Sequence, residues 1–213
     1  MSKNIIKLTV GPFATNCWIY PIDDTSVAII DPGEEADAII SALKKSKLTP
    51  KYILLTHGHF DHIEAAAKLS ETFPEQCQIA IHRLDSEYLG EGSRDVHKRS
   101  LEAAMGDTSL LDHYWKNMLP KADILLEEGS EIGPFTVIHL PGHTQGSVAF
   151  WDKEEGVLFT GDTLFNRGYG RTDLPGGSEK QIFESLRRLF KMDPNIAVYP
   201  GHGETSSIGR ERQ

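Results

Sequence analysis

Ile53-Leu54-Leu55-Thr56 runs directly into His57-Gly58-His59-Phe60-Asp61-His62. The first four residues read as a buried strand, and the next six deliver three imidazoles and a carboxylate in one short loop. The same design recurs three times: Val137 to Leu140 leads to Pro141-Gly142-His143, Val157 to Thr160 leads to Gly161-Asp162, and Ile196 to Tyr199 leads to Pro200-Gly201-His202. Loops beyond the carboxyl ends of strands form the ligand crevice of α/β sheets, so these side chains are predicted to converge although far apart in sequence. The glycines in these turns read as conformational, allowing close backbone approach.

Around these four strand ends the pattern is mixed α/β. Further strands are predicted at Ile5 to Val10, Cys17 to Tyr20, Val27 to Ile30, Ile79 to Ile81 and Ser147 to Trp151, with the others at Tyr52 to Leu55, Phe135 to Leu140, Val157 to Phe159 and Ile196 to Tyr199. Ala36, Ile39, Ile40 and Leu43 recur at helical spacing. Ser178 to Gln181 has the form of a capping box, and Ile182, Phe183, Leu186, Leu189 and Phe190 then line one helix face. Ile63 to Leu69 reads as a third helix. The polar stretch from Leu84 to Asp123, with Tyr88, Tyr114 and Trp115, reads as a helical insertion packed over a single domain spanning residues 1–213. The bland reading is a solvated excursion, and the functional one is a substrate lid or dimer contact.

Composition narrows the class. A chain of 213 residues with 39% apolar content can bury one sizeable core. Its 22 basic and 31 acidic side chains leave a formal charge of -9, opposite to the basic stripe of a nucleic-acid binder. No apolar run reaches the roughly 20 residues needed to cross a bilayer, and the start lacks a signal-peptide h-region. The expectation is a cytoplasmic protein without nucleic-acid or membrane partners. Cys17 and Cys77 read as reduced core thiols.

The converging set holds seven potential metal ligands: His57, His59, Asp61, His62, His143, Asp162 and His202. Five imidazoles and two carboxylates without a thiolate suit zinc, iron, manganese or cobalt. Four ligands from one loop and three from elsewhere exceed one ion's needs, so two adjacent sites are predicted. Two divalent ions about 3.5 to 4 Å apart would form a hydrolytic centre.

These motifs resemble those of the metallo-β-lactamase-fold superfamily and, within it, glyoxalase II, the hydroxyacylglutathione hydrolases. The resemblance runs from about Leu8 to Arg212. It implies a four-layer αββα sandwich, two mixed β-sheets with helices outside. It also implies that His57, His59 and His143 hold one ion, that Asp61, His62 and His202 hold the other, and that Asp162 bridges them. Zinc is the first choice, with iron or manganese as alternatives. Asp162-Thr163-Leu164-Phe165 and Gly168 to Gly177 resemble segments of small glyoxalase II-like proteins. Arg171 matches a basic residue that meets the glutathione part of the substrate, a role a guanidinium can fill by binding a carboxylate. A structural pairing of Arg171 with Asp173 is the alternative.

The resemblance implies a binuclear hydrolase of S-lactoylglutathione or a related hydroxyacyl thioester, with a metal-bridging hydroxide as nucleophile oriented by Asp61. Glu204 stands where glyoxalase II has a tyrosine, and the chain ends eleven residues after His202 where that family continues into a helical domain. Arg210 and Arg212 read as part of a solvated tail. Persulfide dioxygenases share the fold and a Gly-Arg-Thr-Asp segment but use one iron, and a non-catalytic metal-binding scaffold is the third reading. Among the remaining residues, Asp31 is predicted to hold the His loop, His82 to be a capping or core histidine, and His97, His113 and His139 to face solvent.

Overall fold

Successive residues of a strand point to opposite faces of its sheet, and here both faces are covered, so alternate residues enter different cores. In β2 (Thr15–Pro21), Cys17 and Ile19 pack toward helices while Trp18 and Tyr20 face the other sheet. In β8 (Phe135–His139), Phe135 and Val137 face inward between the sheets while Ile138 packs under a helix on the far side. Three apolar layers result, one between the sheets and one under each outer helical layer. Two-sided burial is why these strands read as continuous apolar runs.

The computed structural model describes residues 3–74, 76–109, 111 and 119–212. One sheet holds β1 (Ile6–Val10), β2, β3 (Ser26–Ile30), β4 (Thr49–Leu54), β5 (Gln78–His82) and β6 (Ile124–Leu126) in that order, antiparallel from β1 to β3 and parallel from β3 to β6. The other holds β7 (Glu131–Ile132), β8, β9 (Val148–Asp152), β10 (Val157–Gly161), β11 (Ala197–Pro200) and β12 (Ser206–Ser207), with β10 and β11 parallel and the other neighbours antiparallel. Both sheets are therefore mixed and six-stranded, in the four-layer sandwich that the motifs imply.

Parallel neighbours require crossovers. Helix α1 (Ala36–Ser46) joins β3 to β4 and buries Ile39, Ile40 and Leu43; Asp37 in its first turn and Lys44 and Lys45 in its last complement the helix dipole. The β4 to β5 crossover carries two short helices, α2 (Phe60–Ile63) and α3 (Ala66–Thr72), in place of the one predicted over Ile63 to Leu69. The break has a local cause: the Ala65 N–H donates to the Pro32 carbonyl, outside the helix. Between β5 and β6 lie a 3-10 helix (Arg83–Tyr88) and α4 (Ser93–Met105); Tyr114, Trp115 and His113 fall outside the described residues. Helix α5 (Glu179–Leu189) crosses from β10 to β11, and half of the predicted capping box forms: Ser178 Oγ accepts from the Gln181 N–H, while the Ser178 N–H donates to the Gly142 carbonyl and the Gln181 side chain accepts from Gln145.

Between the sheets, Tyr20, Phe135 and Phe159 interlock edge to face or tilted, with centroids 4.9 to 5.9 Å apart. Truncating fully buried Phe159 to alanine would cost about 3–5 kcal/mol. Strands β6, β7 and β12 were absent from the sequence expectation because two or three residues carry too little periodicity. The chain after His202 is docked in part: β12 pairs with β11, and α6 (Ile208–Glu211) buries Ile208 after a Ser207 cap, while Arg210 and Arg212 are exposed as expected. No helix among the described residues is long and apolar enough to cross a membrane.

Candidate metal centre

The loops following β3, β4, β8, β10 and β11 meet at one edge of the sandwich. Thr56 forms the seam: its carbonyl accepts from the Val148 N–H of the other sheet, and its own N–H and hydroxyl donate to the Asp31 carboxylate at 2.8 and 2.7 Å. Gly201 admits a close approach between ligand loops. A Cβ there would lie 2.2 Å from Asp162 Oδ1 and 2.7 Å from the His62 ring, so a larger residue would push His202 away from its neighbours. On the other side of that loop, the Asn16 side chain donates to the Pro200 and Gly203 carbonyls and ties the His202 turn to β2.

All seven predicted ligands come together. Their donor atoms form three overlapping triads, each within 4.8 Å: His57, His59 and His143; His57, His62 and Asp162; and Asp61, His62 and His202. Asp162 stands between the outer two, with Oδ1 3.4 Å from His62 Nε2 and Oδ2 3.6 and 3.5 Å from His143 and His202 Nε2. His62 and His202 Nε2 lie 3.2 Å apart, and His59 Nδ1 lies 2.8 Å from His143 Nε2. The two ends differ: His57, His59 and His143 are buried, whereas Asp61 and His202 are about a quarter exposed.

Tautomers are set by the outer partners of these rings. His57 Nδ1 faces the Thr56 hydroxyl, His62 Nδ1 the Asp31 carboxylate, His143 Nδ1 the Arg171 carbonyl and His202 Nδ1 the Phe13 carbonyl, at 2.7 to 3.1 Å. An N–H donated outward leaves each Nε2 lone pair aimed into the centre. His59 is the exception and presents Nδ1. Asp31 holds the His loop as the sequence suggests, while Thr15 donates to Asp61 Oδ2 at 3.1 Å.

Burial and neighbouring imidazoles hold His57 and His59 well below the usual histidine range, and therefore neutral. Burial acts the same way on His62 and His202, but Asp61 and Asp162 outweigh it and raise them to about 9 and about 11. Burial would raise both carboxyls; the facing imidazoles bring Asp162 down to about 2 and Asp61 lower still. Without an added cation, the carboxylates recruit protons to supply the positive charge that the pocket calls for.

Divalent ions fit this arrangement. His57 Nε2 and Asp162 Oδ1 are buried without a hydrogen-bond partner, an expensive condition that a cation relieves. Donor separations of 3.2 to 3.6 Å match the roughly 3.3 Å edge of a tetrahedron with metal bonds of about 2.0–2.1 Å. The donors are nitrogen and carboxylate oxygen, suited to borderline transition metals.

A family model for the metallo-beta-lactamase superfamily matches residues 10–202. The chain belongs to the metallo-beta-lactamase superfamily. It is 34% identical to hydroxyacylglutathione hydrolase GloC of Haemophilus influenzae, over 99% of this chain and 95% of that one. It superposes on BLEG-1 B3 metallo-beta-lactamase with a TM-score of 0.83 at 34% identity, covering 98% of this chain and 96% of that one. The structure of TTHA1623 in a di-iron-bound form aligns with a TM-score of 0.78 at 35% identity, over 98% and 97%. As a member of the superfamily with this His/Asp cluster, the chain is a metal-dependent hydrolase.

Other predicted residues lie around the centre. Arg171 lines the cleft beside the centre, but its guanidinium makes two 2.7 Å bonds to the Asp173 carboxylate. His82 caps the 3-10 helix by accepting the Leu84 N–H, and its ring stacks on His139 at 4.1 Å. His139 is thus half-buried rather than solvent-facing, with Nε2 directed at the Gln145 carbonyl. His97 corrects the expectation further: it is fully buried, donates from Nε2 to the Tyr88 carbonyl and lines the cleft, because α4 turns it inward.

Asp85 was missed. Its buried carboxylate accepts from the Gly58 N–H at 2.9 Å, the Thr144 hydroxyl at 2.7 Å and the Gly146 N–H at 2.6 Å. It thereby clamps the loop of His57 and His59 to that of His143. Its position just past the carboxyl end of β5 follows the same strand-end rule as the ligands, and that signal was available in the sequence.

Proposed function

We propose that the chain is a binuclear thioester hydrolase of the hydroxyacylglutathione type, acting on S-lactoylglutathione or a related hydroxyacyl thioester. The observation carrying this reading is the position of Asp162, within 3.6 Å of imidazoles from both outer triads. Similarity to the Haemophilus hydrolase supports the substrate class. His57, His59 and His143 would hold one divalent ion, Asp61, His62 and His202 the other, and Asp162 would span them. Bound there, the ions would supply Lewis acidity and a water of lowered pKa, about 7.

The chain's own side chains do the rest. Asp61, fixed by Thr15, is placed to accept a hydrogen bond from the attacking water, and the outward N–H bonds keep the ligand rings from rotating. A water oxygen forms a bond to the acyl carbon as the C–S bond breaks, giving a hydroxy acid and a thiol. The apolar cleft walls limit bulk water around the reacting carbonyl.

Elemental analysis of protein purified without added metal, followed by turnover of glutathione and coenzyme A thioesters, tests the reading. Two ions per chain and hydroxyacylglutathione hydrolysis are expected. Folded, metal-replete protein that cleaves no such thioester would remove the substrate assignment. A single iron with oxygen uptake on glutathione persulfide would replace hydrolysis with the dioxygenase reading.

A further inference from the structure

The cleft that opens over the metal centre, lined by five of the seven ligands, has a volume of about 240 Å³. At roughly 30 Å³ for each water-sized group, that space holds about eight non-hydrogen atoms, far fewer than a tripeptide thiol or a nucleotide carrier contains. Among the described residues, one wall is the inward face of α4 with Leu101, Ala104 and Met105. Phe13 and Phe60 line the cleft beside the ligands: the Phe13 carbonyl takes the His202 Nδ1–H, and Phe60 lies within the His loop. Met105 and Phe13 are 51% and 40% exposed, large apolar groups left open at a polar site. An apolar group of a ligand laid against them would remove that surface from water.

Charge points the same way. Arg171 is the one lysine or arginine among the described lining residues, and Asp173 already satisfies its fork. The wall therefore offers an incoming carboxylate little net attraction. Once the reacting carbonyl sits at the ions, one half of the thioester must lie in this space. The anionic carrier is too large for this space and meets no unpaired lysine or arginine among the described lining residues, whereas an acyl group fits.

Resting on the thioester-hydrolase reading, we propose that the cleft receives the acyl half, and that the preferred acyl group is a 2-hydroxyacyl chain with an apolar tail of about four carbons packed on Leu101, Ala104 and Met105. The thiol carrier then projects toward solvent. This assigns α4 to substrate selection and makes lactoyl, with its single methyl, a short substrate for the site.

The test uses the metal-replete protein and a glutathione series of lactoyl, 2-hydroxybutanoyl and 2-hydroxyhexanoyl thioesters. Each added methylene should raise kcat/KM by about three- to fourfold. Met105→Glu, a change at an exposed position, should narrow the hexanoyl-to-lactoyl ratio at least several-fold. Calorimetric titration with the product acids gives a readout independent of turnover: 2-hydroxyhexanoate should bind more tightly than lactate, and Met105→Glu should erase the difference. A flat acyl series or equal binding of the two acids overturns the proposal while leaving thioester hydrolysis standing. If no thioester is cleaved, the thioester reading falls, and the titration still decides whether the slot selects an apolar tail.

Discussion

The metal centre and the α4 wall face the same cleft but are built in opposite ways. Each imidazole that presents Nε2 at the centre has a second anchor, and the loops carrying them are tied across the sheets by Thr56, Asn16 and Asp85. Helix α4, among the described residues, is tied by the His97 bond to the Tyr88 carbonyl and the Ser93 bond to the Gly90 carbonyl, and leaves Met105 exposed at the mouth. The contrast separates tasks: the metal-binding groups sit where backbone and side chain both determine position, while the proposed acyl selection would sit on a helix that carries none of the ligands.

The largest expected effect probes the rigid side. Asp162→Ala removes the carboxylate common to both outer triads and should lower thioester hydrolysis by on the order of a thousandfold or more. Metal content measured on the same preparation should fall with it, and His59→Ala should behave alike. Full metal occupancy together with retained turnover in Asp162→Ala would show that the centre is not the unit described.

Acid probes the other side. Burial lowers His97 to about 4, whereas the unfolded chain binds a proton near 6.5. The folded-state value is depressed, so as pH falls from 6.5 toward 4 the unfolded state gains the proton first and stability is lost over that window. Between pH 7 and 4.5 the loss attributable to His97 is about 2 to 3 kcal/mol. Urea unfolding of parent and His97→Gln at both pH values should show a smaller acid loss in the variant; equal losses would mean that burial does not hold the His97 ring neutral.

Asp85 joins the two regions, since it precedes α4 in the chain and clamps two ligand loops. Asp85→Asn puts an NH2 where three donors converge. Metal affinity should weaken about 10–100-fold, as for other residues that orient ligands. Competition with a chromogenic chelator should resolve this as loss of the ion assigned to His57, His59 and His143, because Asp85 clamps the loops that carry that triad. Weakening of the other ion alone would relocate Asp85's influence.

The same contrast governs what was readable in advance. The centre was legible because an apolar strand followed by a small-residue turn and a histidine or aspartate is a local pattern repeated four times, and the topology then gathers the ends. The wall was not. Helix α4 buries Ser93, His97 and Ser100 beside Leu101, so its inward face lacks the apolar period that marks a helix, and His97 read as a polar surface residue. Gly92 and Gly106, which flank α4 with positive φ, were the usable boundary signals. The break between α2 and α3 depends on a hydrogen bond from Ala65 to Pro32, a contact that no window along the sequence contains.

The smallest effect concerns Arg171, where wall and centre touch: its carbonyl orients His143 while its guanidinium is held by Asp173. Both side chains are about half exposed or more, so the pair is weak and screened by salt. Asp173→Asn would free the cation for a carboxylate of the thiol carrier without disturbing the backbone contact to His143. KM for lactoylglutathione should then fall by about two- to fivefold at low ionic strength, with kcat unchanged and the gain lost as salt is added. A lactoyl thioester of an uncharged thiol should show no change. An equal fall for both carriers would mean that the substitution reshapes the cleft, and a rise would mean that the ion pair itself is part of how the substrate is held.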